Sequence, residues 1–159
     1  MAKISTKTMA RMAAVQALYE FEINSRSSSP ESLVESIIIN YAREDFRAIF
    51  EIPDGVNVKL HSNYMRELVM NTINHLDQID DIIKAHLAPG WNYEAMHIAL
   101  VSILRVAIAE LLYFLEVPYK VIINEFTTLA SEIVKDAEIP FVNSLLDHVR
   151  IEYRPENDQ

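Results

Sequence analysis

The sequence predicts an all-α fold. Three observations carry that expectation. Apolar residues recur at three- and four-residue steps along nearly the whole chain. Glycine occurs only at Gly55 and Gly90, so the positive-φ turns that hairpins need are scarce. Residues that start helices, such as Ser29-Pro30, Pro118 and Pro140, stand just ahead of the periodic runs.

The first helix is expected from about Ser5 to Asn24, with Ala10, Ala14, Ala17, Leu18 and Phe21 along one face. "NSRSSSPES" interrupts the pattern. Ser29 then caps a second helix with Pro30 in its first turn, carrying Leu33 and Ile37 to Ile39. "EIPDGVNVK" reads as a turn-bearing loop around Asp54 and Gly55. A long helix follows, from about Asn63 to Leu87, built on Met65, Val69, Leu76, Ile79 and Ile83 and ended by Pro89-Gly90. Asn92 is placed to cap the next helix, with Trp91 and Met96 at the spacing of a hydrophobic staple. That helix is apolar nearly all round, so it should lie at the centre of its bundle. Pro118 opens another helix. Pro140 opens the last, with Phe141, Val142, Leu145, Leu146 and Val149 inward.

Composition removes several function classes. The 159 residues contain no cysteine, so disulfides, thiolate metal sites and thiol nucleophiles are excluded. No secretory leader opens the chain, and a cytoplasmic protein is expected. Ile98 to Val117 is apolar enough to suggest a membrane span, but Arg105, Glu110 and Glu116 lie inside it, which favours a buried helix. The five histidines form no zinc pattern, and no phosphate-cradling glycine loop or nucleophile elbow is present, so no metal or cofactor is expected. Asp77, Asp80 and Asp81 read as a solvated face. An acid–base enzyme using Glu110, Glu125 or His97 is the weak reading.

The net charge is −9, yet its distribution is uneven. Lys3, Lys7 and Arg11 precede the first acid, Glu20; removing those three charges from −9 leaves −12 on the remainder. Lys7 and Arg11 fall in the same helical row as Val15 and Leu18, so a core stripe turns basic toward the N-terminus. This predicts a helix start projecting from the body, with two cations near the positive pole of the helix dipole. Cations there call for an anion such as phosphate. Tyr19 lies near that row, placed either to stack on an unpaired base or to serve as a core tyrosine with its hydroxyl outside. In "VPYKVIINEFTTL", Ile122, Phe126, Leu129 and Ile133 form one stripe. Glu125 falls at its edge and reads as structural, whereas Lys120 and Asn124 face water.

"AAVQALYEFE", "ILRVAIAELLYFLEVPYKVIINEFTTLASEI" and "FVNSLLDHV" appear in an order and spacing that resemble the NusB family of bacterial transcription antitermination factors. The likeness spans almost the whole chain and is weakest from about Ser25 to Leu60. It implies an all-α fold of two packed three-helix bundles, about residues 1–88 and 89–154 of a single NusB-like domain. It implies no catalytic activity. It also implies binding of single-stranded boxA RNA from ribosomal RNA leader transcripts together with NusE, a small-subunit ribosomal protein, and entry into the RNA polymerase antitermination complex. Apolar surface covering the partner site could instead form a homodimer that occludes RNA.

By position, the family's basic segment corresponds to Ser5 through Arg11. Lys7 and Arg11 retain the charge, with Lys3 just ahead. Gln16 and Tyr19 match the first-helix motif, and Phe141 and Asn143 match "Phe-Val-Asn", which places Phe141 to stack on a base at a helix start whose N–H groups face a phosphate. Lys120 stands on the solvent side, open to RNA or partner. Two departures matter. Thr8 and Met9 stand where the family often has arginines, and Ser144 where it has glycine. Fewer phosphate contacts predict weak RNA binding by this chain alone and reliance on the partner protein. The competing expectation is a helical protein-interaction module of the same fold with little RNA binding of its own.

Overall fold

The structure, a computed structural model, describes residues 5–41 and 61–154. Lys3 and the loop expected around Asp54 and Gly55 lie outside the described residues. Among those described, all regular structure is helical. The helices are α1 (Thr6–Ile23), α2 (Pro30–Tyr41), α3 (Ser62–Asn74), α4 (Leu76–Ala85), α5 (Ile98–Tyr113), α6 (Tyr119–Ile133) and α7 (Ile139–Tyr153), with 3-10 turns at Tyr93–Ala95 and Asp136–Glu138. The chain divides into two compact units, Met1–Met70 and Asn71–Gln159.

In the first unit α1 packs on α2. Ser5 caps α1 by accepting a hydrogen bond from the Thr8 N–H at 2.9 Å. Ala10, Ala13, Ala14 and Ala17 are fully buried, and side chains this small let a neighbouring helix approach closely. Leu33, Val34 and Ile37 form the buried face of α2, whose start is capped by Ser29 Oγ on the Ser32 N–H at 3.1 Å. The Ser29 cap agrees with the sequence expectation. Helix α1 ends at Asn24, after which Ser25 and Arg26 take φ of 56° and 60°.

The expected helix from Asn63 to Leu87 is two helices. The break falls at His75, with φ −119° and ψ 26°. Its Nδ1 lies 2.9 Å from the Asn71 carbonyl, and its ring stacks on Tyr113 at 4.2 Å. The imidazole thus engages a carbonyl of α3 and an aromatic from α5, and the backbone turns at that point. The hydrophobic period continues through the break, which is why it is invisible to a pattern argument.

In the second unit α5 is the hub. Every residue from Leu100 to Leu111 is buried, and α4, α6 and α7 all pack on it. Asn92 caps the 3-10 turn at Tyr93–Ala95 rather than α5, accepting from the Glu94 N–H at 3.0 Å. Helix α5 begins later, at Ile98. Its far end is closed by Arg154, 4 % exposed, which donates to the carbonyls of Leu111, Leu115 and Val117 at 3.4, 3.2 and 2.7 Å. A cation at a helix C-terminus meets unpaired carbonyls and the negative end of the dipole together. On α6, Ile122, Phe126 and Leu129 are buried as expected, but Ile133 is exposed at the last position. Arg150 of α7 lies over the Tyr119 ring of α6 at 3.7 Å. No helix of the described residues is long and apolar enough to cross a membrane.

Candidate nucleic-acid interface

The basic start of α1 is built around one aromatic ring. Lys7 Nζ lies 5.0 Å from the centroid of Tyr64, and Arg11 Cζ lies 5.7 Å from the same ring. The spacing i, i+4 places both cations on one helical row, and the Tyr64 face offers them the negative lobe of its quadrupole. Tyr64 is buried near the start of α3. His61 fixes that start: its Nδ1 accepts the Tyr64 N–H at 3.2 Å, and its own backbone N–H donates to the Thr6 carbonyl at 3.4 Å. The first turn of α1 holds no acid. The ring thus faces two like charges near the positive end of a helix dipole.

This corrects one sequence expectation. The two cations do not both stand on a projecting end. Lys7 is exposed, but Arg11 is 4 % exposed and belongs to the packed interior, sharing its row with buried Val15 and Leu18. Its long stem covers apolar surface while its head meets Tyr64. Further along α1, half-buried Gln16 donates through Nε2 to Glu20 Oε2 at 2.9 Å, and Tyr19 is exposed.

The second unit holds the remaining sequence-predicted positions. Phe141, near the start of α7, is half-buried and stacks on Trp91 with ring centroids 4.1 Å apart and an interplanar angle of 10°. The helix start that a Trp91–Met96 staple would brace is a 3-10 turn here, with Met96 closing it. Asn143 and Lys120 are both exposed, Lys120 on the first turn of α6. Glu125 is half-buried, as its place at the stripe edge implies.

The aspartates of α4 do not form a uniformly solvated face. Asp77 and Asp81 are exposed, but Asp80 pairs with Arg105, which is 3 % exposed. Tyr93 completes that cluster, its hydroxyl 3.3 Å from Arg105 Nη2, and burial pushes its phenol well above the ordinary tyrosine range. Of the acid–base candidates, Glu110 is fully buried and His97 is exposed at the N-cap of α5. Among the described residues no three histidines or carboxylates gather as a metal site would require.

Sequence reasoning missed the two aromatics that organise these positions. Tyr64 could have been suspected from His61 three residues earlier, a pairing that suits a helix start. The spacing of Trp91 suggests only a staple, although it is the single tryptophan and follows Pro89-Gly90.

Comparison with known proteins agrees with this architecture. The NusB family model matches residues 8–150. The transcription antitermination protein NusB of Rickettsia bellii is 35 % identical over 147 residues, covering 92 % of this chain and 91 % of that protein. That of Rickettsia conorii is 34 % identical over 151 residues, 95 % of each. Among solved structures, T. maritima NusB superposes with a TM-score of 0.74 at 22 % identity, covering 96 % of this chain and 94 % of the other. A crystal structure of antitermination factors NusB and NusE in complex with dsRNA gives 0.73 at 20 % identity, covering 93 % and 98 %. The helices and the match over nearly the full length lead to one conclusion: this chain belongs to the NusB family.

Proposed function

We propose that this protein is an RNA-binding transcription antitermination factor that acts by assembly. With the ribosomal protein NusE it binds single-stranded boxA RNA of ribosomal RNA transcripts, and the pair joins the RNA polymerase antitermination complex. No bond is made or broken. Family membership supports this reading, as does the solved structure of a NusB and a NusE with RNA. The observation in this chain that carries it is the exposed Lys7 at the acid-free start of α1. Its ammonium is available to a phosphate, while Arg11 and Tyr64 hold the helix start in place. In this reading Lys3 extends the basic segment, Gln16 and Tyr19 lie along the RNA path, and Asn143 and Lys120 supply further polar contacts.

The test is titration of labelled single-stranded boxA RNA, with and without NusE, over a range of salt. Weak binding alone and tighter binding with NusE are expected. Lys7→Glu should weaken binding roughly 3- to 10-fold and flatten the salt dependence by about one counterion. Nanomolar affinity of the isolated chain at physiological salt would overturn the dependence on a partner. Absence of RNA binding even with NusE would overturn the RNA reading and favour a protein-interaction module.

A further inference from the structure

Phe141 is the aromatic that the family resemblance offers to a base, but one of its faces is already taken. The Trp91 indole lies parallel to it at 4.1 Å. Phe141 is half-buried, while Trp91 is 38 % exposed, so the surface this stack shows to solvent is the indole.

Trp91 is held stiffly. Its backbone N–H donates to the Ala88 carbonyl at 3.1 Å, closing a four-residue turn with Pro89 second and Gly90 third. Gly90 has φ 94°, the combination of a type II turn. A Cβ at Gly90 would meet nothing within 4 Å, so the glycine answers the backbone angle rather than a crowded neighbour. On the other side, Asn92 caps the 3-10 turn at Tyr93–Ala95. An indole pinned between two turns loses little conformational freedom when a ligand lands on it.

The chemistry of this face suits a base rather than a phosphate. It is flat and uncharged, and the nearest exposed ion along the chain is Glu94, of the wrong sign for a phosphate. Aromatic platforms of this kind bind unpaired bases with little sequence preference.

We propose that Trp91 is a base-stacking residue: the open face of its indole takes one unpaired base of bound single-stranded RNA, with Phe141 behind it as support. This rests on the RNA-binding reading above and reassigns the stacking contact from Phe141 to Trp91.

Because Trp91 is the only tryptophan of the chain, its emission reports this site. The full chain, with NusE present, is titrated with single-stranded boxA RNA, and the same titration of Trp91→Phe is subtracted. The indole emission should be quenched in step with the anisotropy of labelled RNA. Trp91→Ala should weaken RNA binding by on the order of 5- to 100-fold with the salt slope unchanged, because no charge is lost. Trp91→Phe should keep most of the affinity, and NusE binding without RNA should be unaffected in both variants. If RNA binds by anisotropy while the emission stays constant, the assignment is overturned and the RNA reading stands. The assignment falls equally if NusE alone produces the whole emission change, since the face would then belong to a protein partner. If no RNA binds under any condition, both readings fall. The quenching measurement uses the unaltered chain, so it decides the matter even if Trp91→Ala does not fold.

Discussion

Arg105 of α5 and Asp80 of α4 form a two-pronged pair, Nε to Oδ1 at 2.8 Å and Nη2 to Oδ2 at 2.9 Å. The guanidinium is 3 % exposed and the carboxylate 13 %, so the pair is screened little by solvent. Removing one partner of such a pair leaves a desolvated charge behind. Asp80→Ala should therefore lower stability by about 3–5 kcal/mol, read from urea denaturation. Asp80→Leu combined with Arg105→Met should recover much of that loss, because the attraction of two buried ions offsets little more than their desolvation. A double variant no more stable than Asp80→Ala would show that the pair is not the cause.

Tyr93 links this cluster to pH. Burial raises its phenol above the ordinary value near 10, and its hydrogen bond to Asp80 raises it further. The unfolded chain then loses this proton at lower pH than the folded one. Stability from this group is present below about pH 10 and declines above it, where the unfolded state alone is ionised. Tyr93→Phe should show a shallower alkaline decline in urea midpoints between about pH 10 and 12 than the unaltered protein. Tyr113 and Tyr153 are also raised by burial, so some decline should persist.

Arg154 ties the end of α7 to the Leu111 carbonyl in the last turn of α5 and to the Leu115 and Val117 carbonyls in the segment after it. Arg154→Ala should cost about 2–4 kcal/mol, since buried acceptors lose a charged donor. Amide exchange in residues 114–118 should rise more than in the middle of α5. Uniform exchange across both segments would count against the capping role. Arg154→Lys, with one compact ammonium in place of a planar fork, should restore only part of the loss.

The turn after α1 stores a small strain. Ser25 adopts φ 56° with a Cβ present, which costs roughly 1–2 kcal/mol relative to glycine, partly offset by the greater freedom of glycine when unfolded. Ser25→Gly should raise stability by about 1 kcal/mol and the melting temperature by about 2–4 °C. An unchanged or lower melting temperature would show that other contacts of Ser25 matter more.

Much of this molecule was legible in its residues. Ser5, Ser29, Pro118 and Pro140 mark helix starts by local chemistry, and the structure begins helices there within a residue or two. The buried faces of α1, α4 and α6 follow from three- and four-residue spacing. The family resemblance rested on residues distributed over the whole chain. The break at His75 was not legible, because its stacking partner Tyr113 is remote in sequence. Nor was the burial of Arg11, which depends on a ring from α3, or the turning of Trp91 toward Phe141 about fifty residues away.

By itself, then, the sequence determined the helical class, most helix starts and the family, since each rests on the chain's short-range periodicity and caps or on a matching order of segments. Which charged and aromatic side chains are taken up by packing, and which stay open to a ligand, was decided only by the tertiary structure. The reason is physical: helical period fixes the direction in which a side chain leaves its helix, but solvent is excluded from it only when another element arrives.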